Sequence, residues 1–297
     1  MIETTRLGKW LCVPSFHRWE AMGIRALLAI VTFRCLPLQP LAPHGGFLGW
    51  LFGPKGILAP DGRVTFESQP VPTGIAKWDW DLTWIAAPEL QPWLWIICVA
   101  SLGVYVFGRG LMLLPPLIIL TAVMIVSRTL ENSQGFMYHI YQVIGLVLLA
   151  QTIAGIVYAI IKLCGKAPKN RNINDYIIRY AQIAIVGAYM IAGFSKFIYS
   201  DGEWIKNSPY FGIDIIRTNK QNYYADLEGD RPYEIARSEA ARLLENPTRA
   251  RLMMGTGLLL ELGAFIALFH RVLALFAGIA VMAFHILIAD LMEPTIL

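Results

Sequence analysis

Long apolar runs alternate with short polar connections along most of this chain. The six clearest runs cover residues 91–107, 110–127, 138–163, 176–199, 252–269 and 272–292, and a weaker seventh lies at 22–41. Most approach the length that crosses a bilayer as a helix. Helices are expected because the hydrocarbon leaves no backbone group unpaired, and the alternating pattern of barrel strands is absent. The pattern predicts an all-α fold, an integral membrane multispan helical bundle of six to seven transmembrane helices.

Composition supports a membrane protein and excludes several other classes. Of the 297 residues, 56% are hydrophobic and only 15% are charged, which is unusual for a soluble domain. The four cysteines are scattered without a CxxC pair, so neither a disulfide framework nor a metal site is indicated. No surface rich in basic and aromatic residues indicates nucleic acid. Membrane lipid is therefore the first expected partner.

The chain divides into two parts at sequence level. Residues 1–22 mix basic and aromatic residues without a continuous apolar core, which favours an N-terminal segment lying on the membrane surface over a cleavable signal. A solvent-exposed tail is the alternative. Residues 23–297 are predicted to form a single transmembrane domain, since no internal repeat is evident. The long connection 200–251 contains RPYEIARSEAARLLENP, which predicts a surface helix followed by the cap Asn246 and a first-turn Pro247.

The basic residues of the connections indicate an orientation. KLCGKAPKNRN at 162–172 is the most basic short connection, which places it and the N-terminus in the cytoplasm. Arg249 and Arg251, just before the run 252–269, favour the opposite orientation. With the N-terminus inside, the connections at about 44–90, 128–137 and 200–251 lie on the outer side.

Several ionisable residues lie inside or at the ends of the apolar runs and are candidates for a functional site. Lys196 ends the run 176–199, eight residues before Trp204, and His139 opens the run 138–163 after the loop residue Arg128. Under the predicted topology, the amine and the imidazole reach the same depth. An ammonium near hydrocarbon is costly unless it reaches the interface, pairs with a carboxylate or loses its proton.

Glu261 and His285 lie deeper within the last two runs and need partners inside the bundle, for which Arg34 is one candidate. Simpler roles remain open for all these side chains. Lys196 can extend its amine to the interface, His139 can bind water or a loop carbonyl, and Glu261 can fix helix register. Haem or chlorin ligation by His285 is an alternative, although a single histidine is weak evidence.

Three segments together resemble one known family. LFGPKGILAP at 51–60 resembles the YGxxGILP signature after the first membrane helix of vitamin K-dependent γ-carboxylases and their bacterial relatives, the HTTM (horizontally transferred transmembrane) proteins. AGFSKF at 192–197, followed by Trp204, is similar to the AGxxKL…W segment of that family. YHIY at 138–141 resembles the stretch that holds the family's active-site histidine. The order and separation of the three segments match as well.

The resemblance implies a chemistry and residue roles. In the family, the lysine amine deprotonates a reduced quinone, whose oxygenation yields a strong base that removes a carbon-bound proton. Lys196 and His139 would then be the catalytic residues, and Trp204, Arg128, Glu261 and His285 would line a substrate or lipid pocket on the outer face. The implied cofactor is a reduced, vitamin K-like quinone, and the implied location is a bacterial cytoplasmic membrane.

Departures from the family pattern narrow that expectation. The family's paired lysines are Ser195 and Lys196 here, Tyr138 stands where the family has Asn before the histidine, and a large domain outside the membrane is not expected. Propeptide-directed glutamate carboxylation is therefore not predicted. The main alternative is a non-enzymatic accessory or assembly subunit of a respiratory or photosynthetic membrane complex, with protein partners. A transporter is the third, on the hint of a helix break at Pro115–Pro116.

Overall fold

A computed structural model describes residues 14–36, 74–75, 80–81, 90–133, 139–168, 170–217 and 233–292 of the chain. The helices are α1 (Arg18–Cys35), α2 (Gln91–Phe107), α3 (Leu114–Ser133), α4 (His139–Leu163), α5 (Ile173–Tyr199), α6 (Trp204–Asn207), α7 (Tyr233–Glu245), α8 (Pro247–Gly263) and α9 (Arg271–Met292). Residues 211–217 are also helical, and 3₁₀ turns cover Gly110–Leu113, Ser208–Tyr210 and Ala264–Leu268. Two-residue strands β1 (Gly74–Ile75) and β2 (Trp80–Asp81) pair antiparallel.

Among the described residues, four helical segments are long and apolar enough to cross a membrane. They are Gln142–Leu163, Ile173–Tyr199, Pro247–Leu268 and Arg271–Ile288. Two apolar helices, Pro92–Phe107 and Gly110–Val126, are shorter. The predicted helical fold is confirmed in the described residues, and four of its helices are compatible with an integral membrane protein; the total of six to seven spans stays a prediction.

The prolines at 115 and 116 begin a helix and do not interrupt one. A 3₁₀ turn precedes them, and both lie in the first turn of α3, where a missing backbone N–H leaves no intrahelical bond unmade. The run 110–127 thus changes from a 3₁₀ turn to an α-helix just before the prolines, and the transporter alternative is not tested by this local geometry.

The chain forms two compact units, residues 1–184 and 185–297, and α5 runs through the boundary. In the first unit, α3 buries a helical stripe of Leu117, Leu120 and Met124 against its neighbours, while Ile118 and Ile125 on its other faces are exposed. The spacing of four and three residues places the buried side chains on one face of the helix. The predicted boundary between the N-terminal surface segment (1–22) and the transmembrane domain (23–297) falls within α1 of this unit.

Polar side chains are buried between the helices of the first unit and are hydrogen-bonded there. The Arg25 guanidinium of α1 donates to the carbonyl oxygens of Tyr105 (2.7 Å) and Gly108 (3.1 Å), at the C-terminal end of α2. The side chains of Tyr105 and Gln151, both fully buried, bond to each other across α2 and α4. Such bonds satisfy groups that would otherwise be unpaired in an apolar interior and fix the register of neighbouring helices.

The second unit is built around α8. A small core of Ile215, Leu243 and Ala250 joins the segment after α6, α7 and the start of α8. The Asn246 side chain accepts a hydrogen bond from the Arg249 backbone N–H, so it caps α8 as the sequence predicted, with Pro247 in the first helical turn. A helix occupies Tyr233–Glu245, within the segment predicted as a surface helix; its location on the outer side of a membrane stays a prediction.

Candidate functional site

Lys196 and Glu261 form an ion pair between α5 and α8. Gly193, one turn before Lys196, makes the approach of the two helices possible. A Cβ atom at Gly193 would lie 3.2 Å from the Glu261 Cβ and 3.0 Å from a methyl carbon of Leu262. A glycine at this point therefore brings the backbone of α5 close enough to α8 for the lysine to reach the carboxylate.

The two partners of the ion pair differ in exposure. The Lys196 side chain is 33% exposed, whereas the Glu261 side chain is 9% exposed. One carboxylate oxygen, Oε1, accepts from Lys196; the other, Oε2, is buried and has no hydrogen-bond partner among the described residues. A buried acceptor without a partner is uncommon in folded proteins and costs free energy comparable to a lost hydrogen bond. The site thus has an accessible cationic end and a buried acceptor behind it.

Trp204, which follows α5 in the sequence, contacts the amine of Lys196. Its ring centroid lies 5.2 Å from the Lys196 Nζ, within the range of a cation–π interaction. Ser200 holds this arrangement, because its hydroxyl donates to the Lys196 carbonyl oxygen (2.6 Å) and accepts from the Trp204 backbone N–H (2.9 Å). Lys196 and Trp204, two of the predicted site residues, are therefore in contact.

The turn that ends α5 sets the position of Trp204. Asp201 has a φ of 51° and Gly202 a φ of 78°, and the Gly202 N–H bonds to the Phe197 carbonyl, as in a Schellman motif. The exposed Glu203 then pairs with Lys206 at 2.7 Å. The hydrogen bond from Lys206 and its positive charge lower the pKa of the Glu203 carboxyl.

His285 contacts an aromatic side chain of the helix that carries Lys196. Its ring centroid is 5.6 Å from that of Tyr189 in an edge-on arrangement. The His285 Nδ1 lies 2.8 Å from the Val281 carbonyl oxygen, which fits an Nδ1–H donor and leaves Nε2 for another group. Lys196, Trp204 and Glu261 therefore form one neighbourhood of the second unit, and His285 is linked to it through Tyr189, seven residues before Lys196 on α5.

The remaining two predicted site residues cannot be assigned to that neighbourhood. His139 is the first residue of α4 and Arg128 lies in α3, both in the first unit. Their side chains lie outside the described residues, and so does the segment 51–60. The convergence of His139 and Lys196 on one cavity stays a prediction.

Metal ligation has no structural support in the described ranges. They contain no cluster of three or more His, Cys, Asp or Glu side chains that could hold a metal ion. The site is instead an ion pair bordered by aromatic rings, which can bind an anion at the lysine, shuttle a proton between amine and carboxylate, or stack a planar ring.

Two residues that sequence reasoning did not single out belong to the site, Tyr189 and Ser200. Tyr189 lies four residues before Gly193 on α5, and Gly193 lies three residues before Lys196, so helical spacing places the three along one side of the helix. Ser200 was likewise missed, although its position four residues after Lys196 could have indicated a helix-end hydroxyl bonding back to a carbonyl.

Comparisons with known proteins do not identify the chain. No family model matches it, and no curated protein or solved structure does so either.

Proposed function

We propose that this protein binds a reduced, lipid-soluble quinone at the Lys196–Glu261 pair and removes a hydroxyl proton from it. The observation that carries the proposal is the asymmetry of the pair. Lys196 is one-third exposed, whereas Glu261 is buried with one oxygen unpartnered in the described structure. To act as a base, the amine of Lys196 must be reachable by the ligand, and the buried carboxylate of Glu261 must be able to accept the proton that the amine gives up.

The proton balance of such a step is simple. In the resting pair Lys196 is an ammonium and Glu261 a carboxylate. Transfer of one proton from Nζ to Oε1 leaves a neutral amine, which then accepts the proton of a hydroquinone hydroxyl. The products are an ammonium, a protonated Glu261 and a quinolate anion beside the ammonium. A site of low dielectric favours the transfer from Nζ to Oε1 because that step converts the two opposite charges into two neutral groups. The later proton transfer from the hydroquinone restores one pair of opposite charges, the ammonium and the quinolate.

The surroundings of Lys196 fit a planar, apolar ligand. Phe194 and Phe197 flank it on α5 and are 50% and 55% exposed, so a ligand arriving from the bilayer meets apolar surface first. The Trp204 ring next to the amine offers a face on which a quinone ring can stack. As the family resemblance implies, the quinolate would then react with dioxygen, and His139 would stabilise its charge.

The location follows from the same proposal. A lipid-soluble substrate suits an integral membrane protein of a bacterial cytoplasmic membrane. The basic connection between α4 and α5 favours a cytoplasmic N-terminus, and this orientation puts the end of α5 on the outer side.

A second candidate is a non-enzymatic accessory subunit, and α9 favours it. The most apolar part of α9 is the 18-residue segment Arg271–Ile288, and no residue of this segment is buried in the described structure. A helix whose apolar residues remain partly or largely exposed can contact lipid or a partner chain. An ion-paired Lys196 is also what a purely structural role predicts, since pairing alone resolves the cost of the charge.

Purification in a mild detergent distinguishes the two candidates. The eluted protein is extracted for lipids, which are identified by mass spectrometry, while its chains are quantified on the same sample. A quinone in about equal molar amount to a solitary chain, lost in Lys196→Met and retained in Lys206→Met, supports the quinone site. Stoichiometric partner chains without a quinone in the wild type support the accessory subunit and contradict the first candidate.

A further inference from the structure

A groove runs between α8 and α9, away from the Lys196–Glu261 pair. It encloses about 610 Å³, and its lining includes Leu252 and Thr256 of α8 and Phe284 and Leu287 of α9. Thr256 contributes little polarity because its hydroxyl already donates to the Leu252 carbonyl oxygen at 2.8 Å. The lining is therefore largely hydrocarbon in character.

Gly257 explains how the groove forms. A Cβ atom at this position would lie 2.2 Å from the Phe284 ring, so the ring packs directly on the backbone of α8. Phe284 itself lines the groove, so this contact joins the two helices where the groove lies.

One end of the groove is cationic. Arg249, in the first turn of α8, lines it together with Asn246 and Thr248. The Arg249 backbone N–H is occupied by the Asn246 side chain, so the donors that Arg249 itself can offer to a ligand are those of its guanidinium. Within the described part of the chain, no carboxylate pairs with Arg249.

The cationic end lies where a lipid headgroup would be. Pro247–Leu268 is one of the candidate membrane spans, and Arg249 is its third residue. The nineteen residues that follow extend for roughly 30 Å as a helix, the thickness of the hydrocarbon core. Leu252 and Thr256 then lie about one and two turns deeper than the arginine, at the depth of acyl chains.

We propose that this groove is a binding site for an anionic phospholipid. Its phosphate binds the Arg249 guanidinium, and one acyl chain lies along Leu252, Thr256, Phe284 and Leu287. Basic side chains at the edge of grooves between transmembrane helices are suited to anionic headgroups, and the apolar lining matches a lipid tail. The site is independent of the proposed quinone chemistry, because neither Lys196 nor Glu261 lines the groove.

The chain offers two matched controls for this proposal. Arg251 carries the same charge as Arg249 and is two residues further along α8, but it does not line the groove. Leu275 is an exposed leucine of α9, like Leu287, and also lies outside the groove lining. Arg249→Gln and Leu287→Trp therefore test the site, while Arg251→Gln and Leu275→Trp test general charge and surface effects.

The experiment is native mass spectrometry of the full-length chain in detergent, titrated with phosphatidylglycerol or with phosphatidylcholine of identical acyl chains. The wild type is expected to bind phosphatidylglycerol more tightly than phosphatidylcholine. Arg249→Gln is expected to weaken phosphatidylglycerol binding about fivefold, as the loss of one basic side chain at a membrane surface predicts. Leu287→Trp is expected to weaken both lipids, and each control should match the wild type.

Two results would overturn the proposal. Equal affinity of the wild type for the two lipids excludes selectivity for an anionic headgroup, and this comparison needs no variant. Equal losses in Arg249→Gln and Arg251→Gln assign the effect to net charge and not to the groove. Since all measurements use binding as their readout, a failure here is separate from a failure of the quinone proposal.

Discussion

Lys196 and Glu261 lie 65 residues apart in sequence and form an ion pair between α5 and α8. The pair differs from surface salt bridges because its acidic partner is buried while its basic partner remains partly exposed. This difference determines how substitution of Lys196 or of Glu261 should change the stability of the protein.

Loss of the lysine should destabilise the protein more than loss of the glutamate charge. Lys196→Met leaves a buried carboxylate without its partner, which we expect to cost about 1–3 kcal/mol after allowance for the partial exposure of the lysine. Glu261→Gln leaves an amine that can still reach the interface. The double variant Lys196→Met/Glu261→Gln should be more stable than Lys196→Met alone. Unfolding temperatures in one detergent measure all three, with Lys206→Met as the unchanged control.

The close approach at Gly193 should be sensitive to side-chain size. Gly193→Val introduces a Cβ within 3.0–3.2 Å of Leu262 and Glu261, which must shift. Overpacking of this kind costs about 1–3 kcal/mol. Gly187→Val is the matched control on α5, since no described atom lies within 4 Å of a Cβ there. A similar loss of stability in both variants would contradict the proposed contact.

The contact of Phe284 with the backbone at Gly257 makes a separate prediction. Gly257→Ala should lower the unfolding temperature, because its Cβ would overlap the Phe284 ring. Gly278→Ala, on α9, meets no described atom within 4 Å and should raise the unfolding temperature slightly through helix propensity. Opposite shifts from the same substitution would support the packing of α8 on α9; equal shifts would argue against it.

The buried pair of Tyr105 and Gln151 should show energetic coupling. Gln151→Leu leaves the Tyr105 hydroxyl without its hydrogen-bond partner, and Tyr105→Phe leaves the Gln151 amide without its partner. Each variant should lose about 1 kcal/mol of stability, whereas the double variant should lose less than the sum. A double-mutant cycle by thermal unfolding measures the coupling, and strict additivity would exclude the bond.

The sequence predicted the helices well because a single physical signal defines them. Apolar runs at 91–107 and 138–163 correspond closely to α2 and α4, and the Asn246 cap appears as expected. The run 252–269 was less regular, since α8 ends at Gly263 and a 3₁₀ turn continues to Leu268. Periodicity does not distinguish an α-helix from a 3₁₀ turn over a few residues.

The contacts of the candidate site were harder to predict. Glu261 was expected to have a partner within the bundle, and Arg34 was a candidate, but its partner is Lys196. Sequence alone does not say which helices are neighbours, and the glycine that permits the approach is only one of many in the chain. The contact of Trp204 with Lys196 is a local one, because only eight residues of chain separate the two.

Oxygen consumption by the purified protein tests whether Lys196 deprotonates a reduced quinone. The wild type in lipid nanodiscs receives a vitamin K-type hydroquinone, and the rate above the protein-free background is compared with Lys196→Met, Glu261→Gln and Lys206→Met. We expect oxygen uptake by the wild type and Lys206→Met, a fall of about 100-fold or more in Lys196→Met, and a smaller loss in Glu261→Gln. An undiminished rate in a folded Lys196→Met, or a wild type at background, would contradict it.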